Sequence, residues 1–82
     1  MTDTTLSLTR DQMQADIAAE IGIPLAEVEP DESLVDLGLD SMQVMTLLMK
    51  WGEVIPGLEF SLFMEAETFE EWWQIAAEAQ AA

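Results

Sequence analysis

Apolar residues recur at helical spacing in three stretches of the chain. In the first, Met13, Ile17, Ala18 and Ile21 fall on one stripe. Thr9-Arg10-Asp11-Gln12 opens it as a capping box, with Thr9 at the N-cap and Gln12 at N3, and Leu8 and Met13 stand where a hydrophobic staple forms. Gly22 ends it and Pro24 bars its continuation. A second capping box, Asp40-Ser41-Met42-Gln43, opens a helix that runs from Ser41 to Trp51 and closes near Gly52. A third, Thr68-Phe69-Glu70-Glu71, opens a last helix through Trp72, Trp73, Ile75, Ala76 and Ala79. Between these two, after the Pro56-Gly57 turn, Leu58 to Met64 is long enough for a short helix or an irregular turn.

Residues 23–40 hold two prolines and six acids, which deny them a long helix, yet Leu25, Val28, Leu34, Leu37 and Leu39 call for burial. The segment reads as an ordered loop packed over the core, since linkers rarely carry so many aliphatics. Residues 1–8, rich in Thr, read as a frayed start, and residues 9–80 as a single domain. The expected fold is all-α, a small four-helix bundle of three main helices and one short one. At 82 residues and 9.1 kDa, such a domain buries only about 60 % of the surface of its unfolded chain. That leaves room for one core and none for a deep catalytic cleft. Leu, Ile, Val and Phe make up about 27 % of the chain, above the roughly 20 % under which disorder is expected.

Charge narrows the function further. Arg10 and Lys50 face seventeen acids, for a formal net charge of −15. A phosphate backbone or an anionic membrane surface needs clustered cations, so neither is an expected partner; a basic protein is. With no Cys and no His, disulfides, soft-metal sites and Ser-His or Cys-His nucleophiles are ruled out. No metal site and no catalytic residue is assigned. The start carries no positive n-region and no stretch approaches a spanning length, so the chain reads as cytoplasmic.

Around the helix that begins at Ser41, successive residues lie about 100° apart. Val44, Leu47, Leu48 and Trp51 form a core-facing sector, and Gln43, Thr46 and Lys50 a polar one. Met42, Met45 and Met49 remain as a second apolar strip on a helix with no acid after Asp40. Methionine adapts to varied partners, so the strip reads as a docking surface, the alternative being that it packs under the short third segment. Ser41 itself is an ordinary helix-start residue, although the amides and macrodipole there would favour a phosphate on its hydroxyl.

Asp36-Leu37-Gly38-Leu39-Asp40-Ser41-Met42 closely resembles the phosphopantetheine attachment motif of acyl and peptidyl carrier proteins. The resemblance covers most of the chain: Thr9 to Gly22 is similar to the carriers' first helix, Asp31-Glu32-Ser33-Leu34 to the loop before the motif, and Thr68 to Ala79 to the last helix. It implies a 4′-phosphopantetheine on Ser41, taken from coenzyme A, whose thiol holds a cargo as a thioester. It also implies a partner-reading face at the start of the serine's helix and on the third segment, which adds Phe60 and Met64 to Met42, Met45 and Met49; Phe63 is as readily an inward residue. Asp36 and Asp40 flank the serine and could meet basic residues of a phosphopantetheinyl transferase, Asp40 being also the N-cap.

Within that family the acid-free helix departs from fatty-acid carriers, and Asp40 stands where elongation-type peptidyl carriers often have His. The string from Trp51 to Phe60, with Thr68 and Trp72-Trp73, looks like the aryl carrier proteins of siderophore and related nonribosomal pathways, although spaced aromatics serve a core equally well. The resemblance thus implies a monomeric aryl or aminoacyl carrier, loaded by an adenylating enzyme and unloaded by a condensation or tailoring enzyme. A polyketide or fatty-acid type of acyl carrier is the alternative within the family. An acidic interaction or inhibitor protein that works unmodified is the alternative outside it, motivated by charge alone.

Overall fold

A computed structural model describes residues 8–81 and contains three long helices and two short ones. Helix α1 spans Arg10–Ile21, α2 Leu34–Leu37, α3 Ser41–Gly52, α4 Phe60–Glu65 and α5 Phe69–Ala81. The expectation for residues 1–8 falls, except for Leu8, outside the described residues. Leu8 is buried, and its backbone N–H and C=O are both met by the Gln80 side-chain amide at 2.9 Å.

The caps act where the sequence puts them, with one difference. Thr9 Oγ1 accepts from the Gln12 N–H at 3.1 Å, but Gln12 does not reach back to close the box; its amide donates to Asp16 one turn on. At α3 the box is complete, Gln43 N–H to Asp40 Oδ1 at 2.8 Å and Asp40 N–H to Gln43 Oε1 at 3.0 Å. The box at α5 closes likewise through Thr68 and Glu71, and Glu71 also accepts the Glu67 N–H. Those two amides hold the Glu71 carboxyl below its ordinary pKa.

Helix α1 packs on α3 and α5, and α4 on α5. Met13 and Ile17 from α1, Leu47, Leu48 and Trp51 from α3, Phe63 from α4, and Phe69, Trp72 and Ala76 from α5 form the core with Ile55 and Val28. At its centre Trp51 and Phe63 meet the Trp72 ring edge-on, centroids 5.8 and 5.5 Å away. Aromatic pairs favour this arrangement, which sets positive edge against negative face. The Trp72 indole N–H donates to the Phe63 carbonyl, fixing α4 to α5. Trp73 is only half-buried.

The segment before α3 is ordered and packed, as expected, but it is more than a loop. It holds a 3₁₀ turn at Leu25–Glu27 and then α2. Leu34 N–H donates to the Glu67 carbonyl, Glu70 N–H to the Pro30 carbonyl, and Ser33 pairs with Thr68 in a single antiparallel bridge. Val28, Leu34 and Leu39 are buried. Leu25 is 50 % exposed, contrary to expectation, because the 3₁₀ turn leaves it on the outer side while Gln14 ties the Leu25 and Val28 carbonyls to α1.

Candidate functional site

Three local devices place Ser41. Ser33 caps α2, whose single turn ends at Gly38 with φ of 115°, a conformation open to Gly because it has no Cβ. Leu39 then drops into the core and anchors the chain, and Asp40 caps α3. Ser41 follows as the first residue of α3, exposed to solvent. Helix geometry leaves the first amides of α3 without intrahelical acceptors, and the Asp40 carboxylate takes only that of Gln43.

A cleft of about 470 Å³ opens beside Ser41. Leu34, Val35, Leu39, Val44, Phe63 and Met64 supply most of its apolar wall, with Asp40, Ser33 and Glu67 at polar positions. The α2 segment and α4 form its two banks, and backbone bonds from Leu34 to Glu67 and from Glu70 to Pro30 tie the α2 segment to the turn after α4 and to α5. The residues fit a long, flexible arm on the serine: the hydroxyl is accessible, and an apolar recess lies next to it.

The methionine strip is exposed. Met42 is 80 % accessible, Met45 38 % and Met49 61 %, one above another on α3. Met64 is exposed on α4 and shares the Ser41 cleft. Asp40, adjoining the serine in the chain, and Asp36, on α2, are both exposed. Phe60 stands apart, half-buried over Gly52 at the far end of α3, about 16 Å along the helix from Ser41. Met49 belongs to that distal half as well. Phe63 points inward. Val35 is a residue the sequence reading missed; it is 75 % exposed on α2 and lines the cleft. Its place in a one-turn helix gives no periodicity to reveal it.

The polar sector of α3 is not simply solvated. The Gln43 amide donates to the Glu20 carbonyl on α1, and Lys50 pairs with Asp16 at 3.2 Å. Asp16, 8 % exposed, also accepts from the Trp51 indole at 2.9 Å and from Gln12. Burial pushes its carboxyl up, but the Trp51, Gln12 and Lys50 donors outweigh burial and hold it below the ordinary value of 3.8. Arg10, the other cation, lies 4.9 Å over the Phe69 ring and bonds Glu70 at 2.9 Å, keeping the Glu70 carboxyl low. Among the described residues, no cluster of acids is placed to hold a metal ion, and no helix is long and apolar enough to cross a membrane.

Residues 11–74 match the family model described as the phosphopantetheine attachment site. The acyl carrier protein ScoB of Streptomyces coeruleorubidus is 33 % identical over 73 residues, covering 89 % of this chain and 86 % of its own. Enterobactin synthase component B of Escherichia coli is 33 % identical over 60 residues, 68 % of this chain. Phenyloxazoline synthase MbtB of Mycolicibacterium paratuberculosis is 29 % identical over 65 residues, 79 % of this chain. This chain spans only 21 % and 6 % of the last two. No solved structure matches it. The matched span runs from α1 into α5 and takes in the whole α2–Ser41–α3 arrangement, so the chain belongs to the phosphopantetheine-bearing carrier proteins, and it is a carrier rather than a catalyst.

Proposed function

We propose that Ser41 bears the 4′-phosphopantetheine arm and that the chain carries an aryl or aminoacyl group for a nonribosomal peptide or related pathway in the cytoplasm. The observation that carries the first part is the position of Ser41: exposed, on the first turn of a twelve-residue helix, beside an apolar cleft. When bound, the arm supplies the thiol to which the cargo is joined as a thioester. The chain contributes the display. The first amides of α3 face the phosphate, and Val35, Val44 and Met64 offer apolar surface next to it.

Met42, Met45 and Met64 are the contact surface for a phosphopantetheinyl transferase, an adenylating enzyme and a condensation or tailoring enzyme in turn. Their unbranched thioethers repack against different surfaces, which suits one monomeric carrier with several partners. Asp36 and Asp40 add charge for a basic partner, while Met49 and Phe60 extend the contact toward the far end of α3. The aryl reading draws support from the likeness to a phenyloxazoline synthase and an enterobactin synthase component, since Trp51 and Trp72 are core residues and carry no subtype.

A second reading, an acyl cargo of the polyketide or fatty-acid kind, is favoured by the acyl carrier protein matched along most of its length. Loading separates the two. The modified chain is offered an adenylating enzyme with aryl or amino acids, and separately an acyltransferase with acyl-coenzyme A. Mass gain from the adenylating enzyme supports the first reading; gain from the acyltransferase alone supports the second.

A further inference from the structure

We propose that the groove between α4 and α5, on the side of α4 turned away from the Ser41 cleft, docks a short cationic amphipathic helix of a partner protein. Phe63 and Met64 face the Ser41 cleft, whereas Leu62 and Glu65 turn to the other side. There two adjoining hollows of about 390 and 290 Å³ share Leu62, Ile75 and Glu78. Leu62 is 45 % exposed, and together with Ile75 and Ala79 it makes an apolar floor. Glu59 and Glu65 stand on the α4 bank and Glu78 on the α5 bank.

Charge decides the occupant. Both cations of the chain are engaged elsewhere, Arg10 with Glu70 and Lys50 with Asp16, so the banks are acidic only. A second copy seated here by two-fold symmetry would set the same carboxylates against one another. Nucleic acid and anionic lipid are repelled for the same reason. The stretch of α5 from Glu71 to Ala79 that lines the hollows is about 13 Å long, which matches two to three turns of a helix. A partner helix with apolar anchors at i and i+3 or i+4, flanked by Lys or Arg, fits floor and banks together. Because the groove lies across α4 from Ser41, it can hold a partner while the serine face stays open.

The test uses the full chain, isotope-labelled and unmodified, titrated with a synthetic helical peptide that has leucines at i, i+3 and i+7 and lysines on both flanks. We expect chemical-shift changes centred on Leu62, Ile75 and Ala79. In the double variant Glu65→Lys with Glu78→Lys, binding weakens about tenfold, as two reversed rim charges imply. Lys near a helix C-terminus complements the macrodipole, so these changes do not threaten the fold. Glu27→Lys with Glu29→Lys changes net charge equally, away from the groove, and leaves binding within about twofold. No binding, shifts spread over the chain or centred on Met42 and Met45, equal weakening in both double variants, or self-association of the chain would each overturn the proposal. The Ser41→Ala chain binds the same peptide equally, so failure here leaves the Ser41 reading untouched.

Discussion

Burying a carboxylate in a chain that already carries seventeen acids demands compensation, and Asp16 receives three donors. Its bond to the Trp51 indole joins α1 to α3 at the level of the aromatic core. Replacing Asp16 by Ala leaves a buried indole N–H without its acceptor and frees Lys50. We expect a loss of about 2–3 kcal/mol in urea unfolding, and a smaller loss for Asp16→Asn, which keeps an acceptor. The folded pKa lies below the unfolded value, so folding favours the ionised form. The contribution of Asp16 is therefore fully present above pH 3.8 and disappears as pH falls through the lower folded value. Acid titration of stability checks this: wild type loses more than Asp16→Asn below that pH. Nothing in the sequence sets Asp16 apart from the other acids, because its partner Trp51 lies thirty-five residues away. By contrast the exposure of Met42 and Met45 follows from one cap and one helical repeat, whereas Ser41 stands out only through the motif from Asp36 to Met42.

At the scale of elements, helices with a cap and a stripe announce themselves, and the three long ones begin within a residue of their capping boxes. Helix α2 does not. Four residues make barely one turn, too short for any period, and its stability comes from the Ser33 cap, the Gly38 turn and the backbone bond from Leu34 to Glu67. The exposed Leu25 shows the same limit, because aliphatic content calls for burial without saying which side chain a 3₁₀ turn leaves outside. Gly38 is where the candidate site depends on an element boundary. Its positive φ disfavours any Cβ, and one added there would come within 3.3 Å of the Ile21 side chain. We expect Gly38→Ala to cost about 1–2 kcal/mol and to slow modification of Ser41 by shifting the start of α3. Thermal melts and a timed modification assay measure both. Unchanged values in each would show that the turn does not position the serine.

For the molecule as a whole, charge opposes compaction. Seventeen carboxylates on 82 residues repel one another, and only two cations offset them, both already paired. Added monovalent salt screens this repulsion more than it weakens two ion pairs. The melting temperature should therefore rise between low and moderate salt; a fall would mean the ion pairs outweigh the repulsion. The same charge fits partners with basic surfaces, while the acid-free α3 offers them apolar contact. The carrier role of this chain depends on attachment at Ser41. It is tested most directly by intact mass after incubation with coenzyme A and a broad-specificity phosphopantetheinyl transferase, wild type beside Ser41→Ala. A gain of one phosphopantetheinyl group is expected on the wild type and none on the variant. An unchanged wild-type mass, or an equal gain on Ser41→Ala, would contradict it.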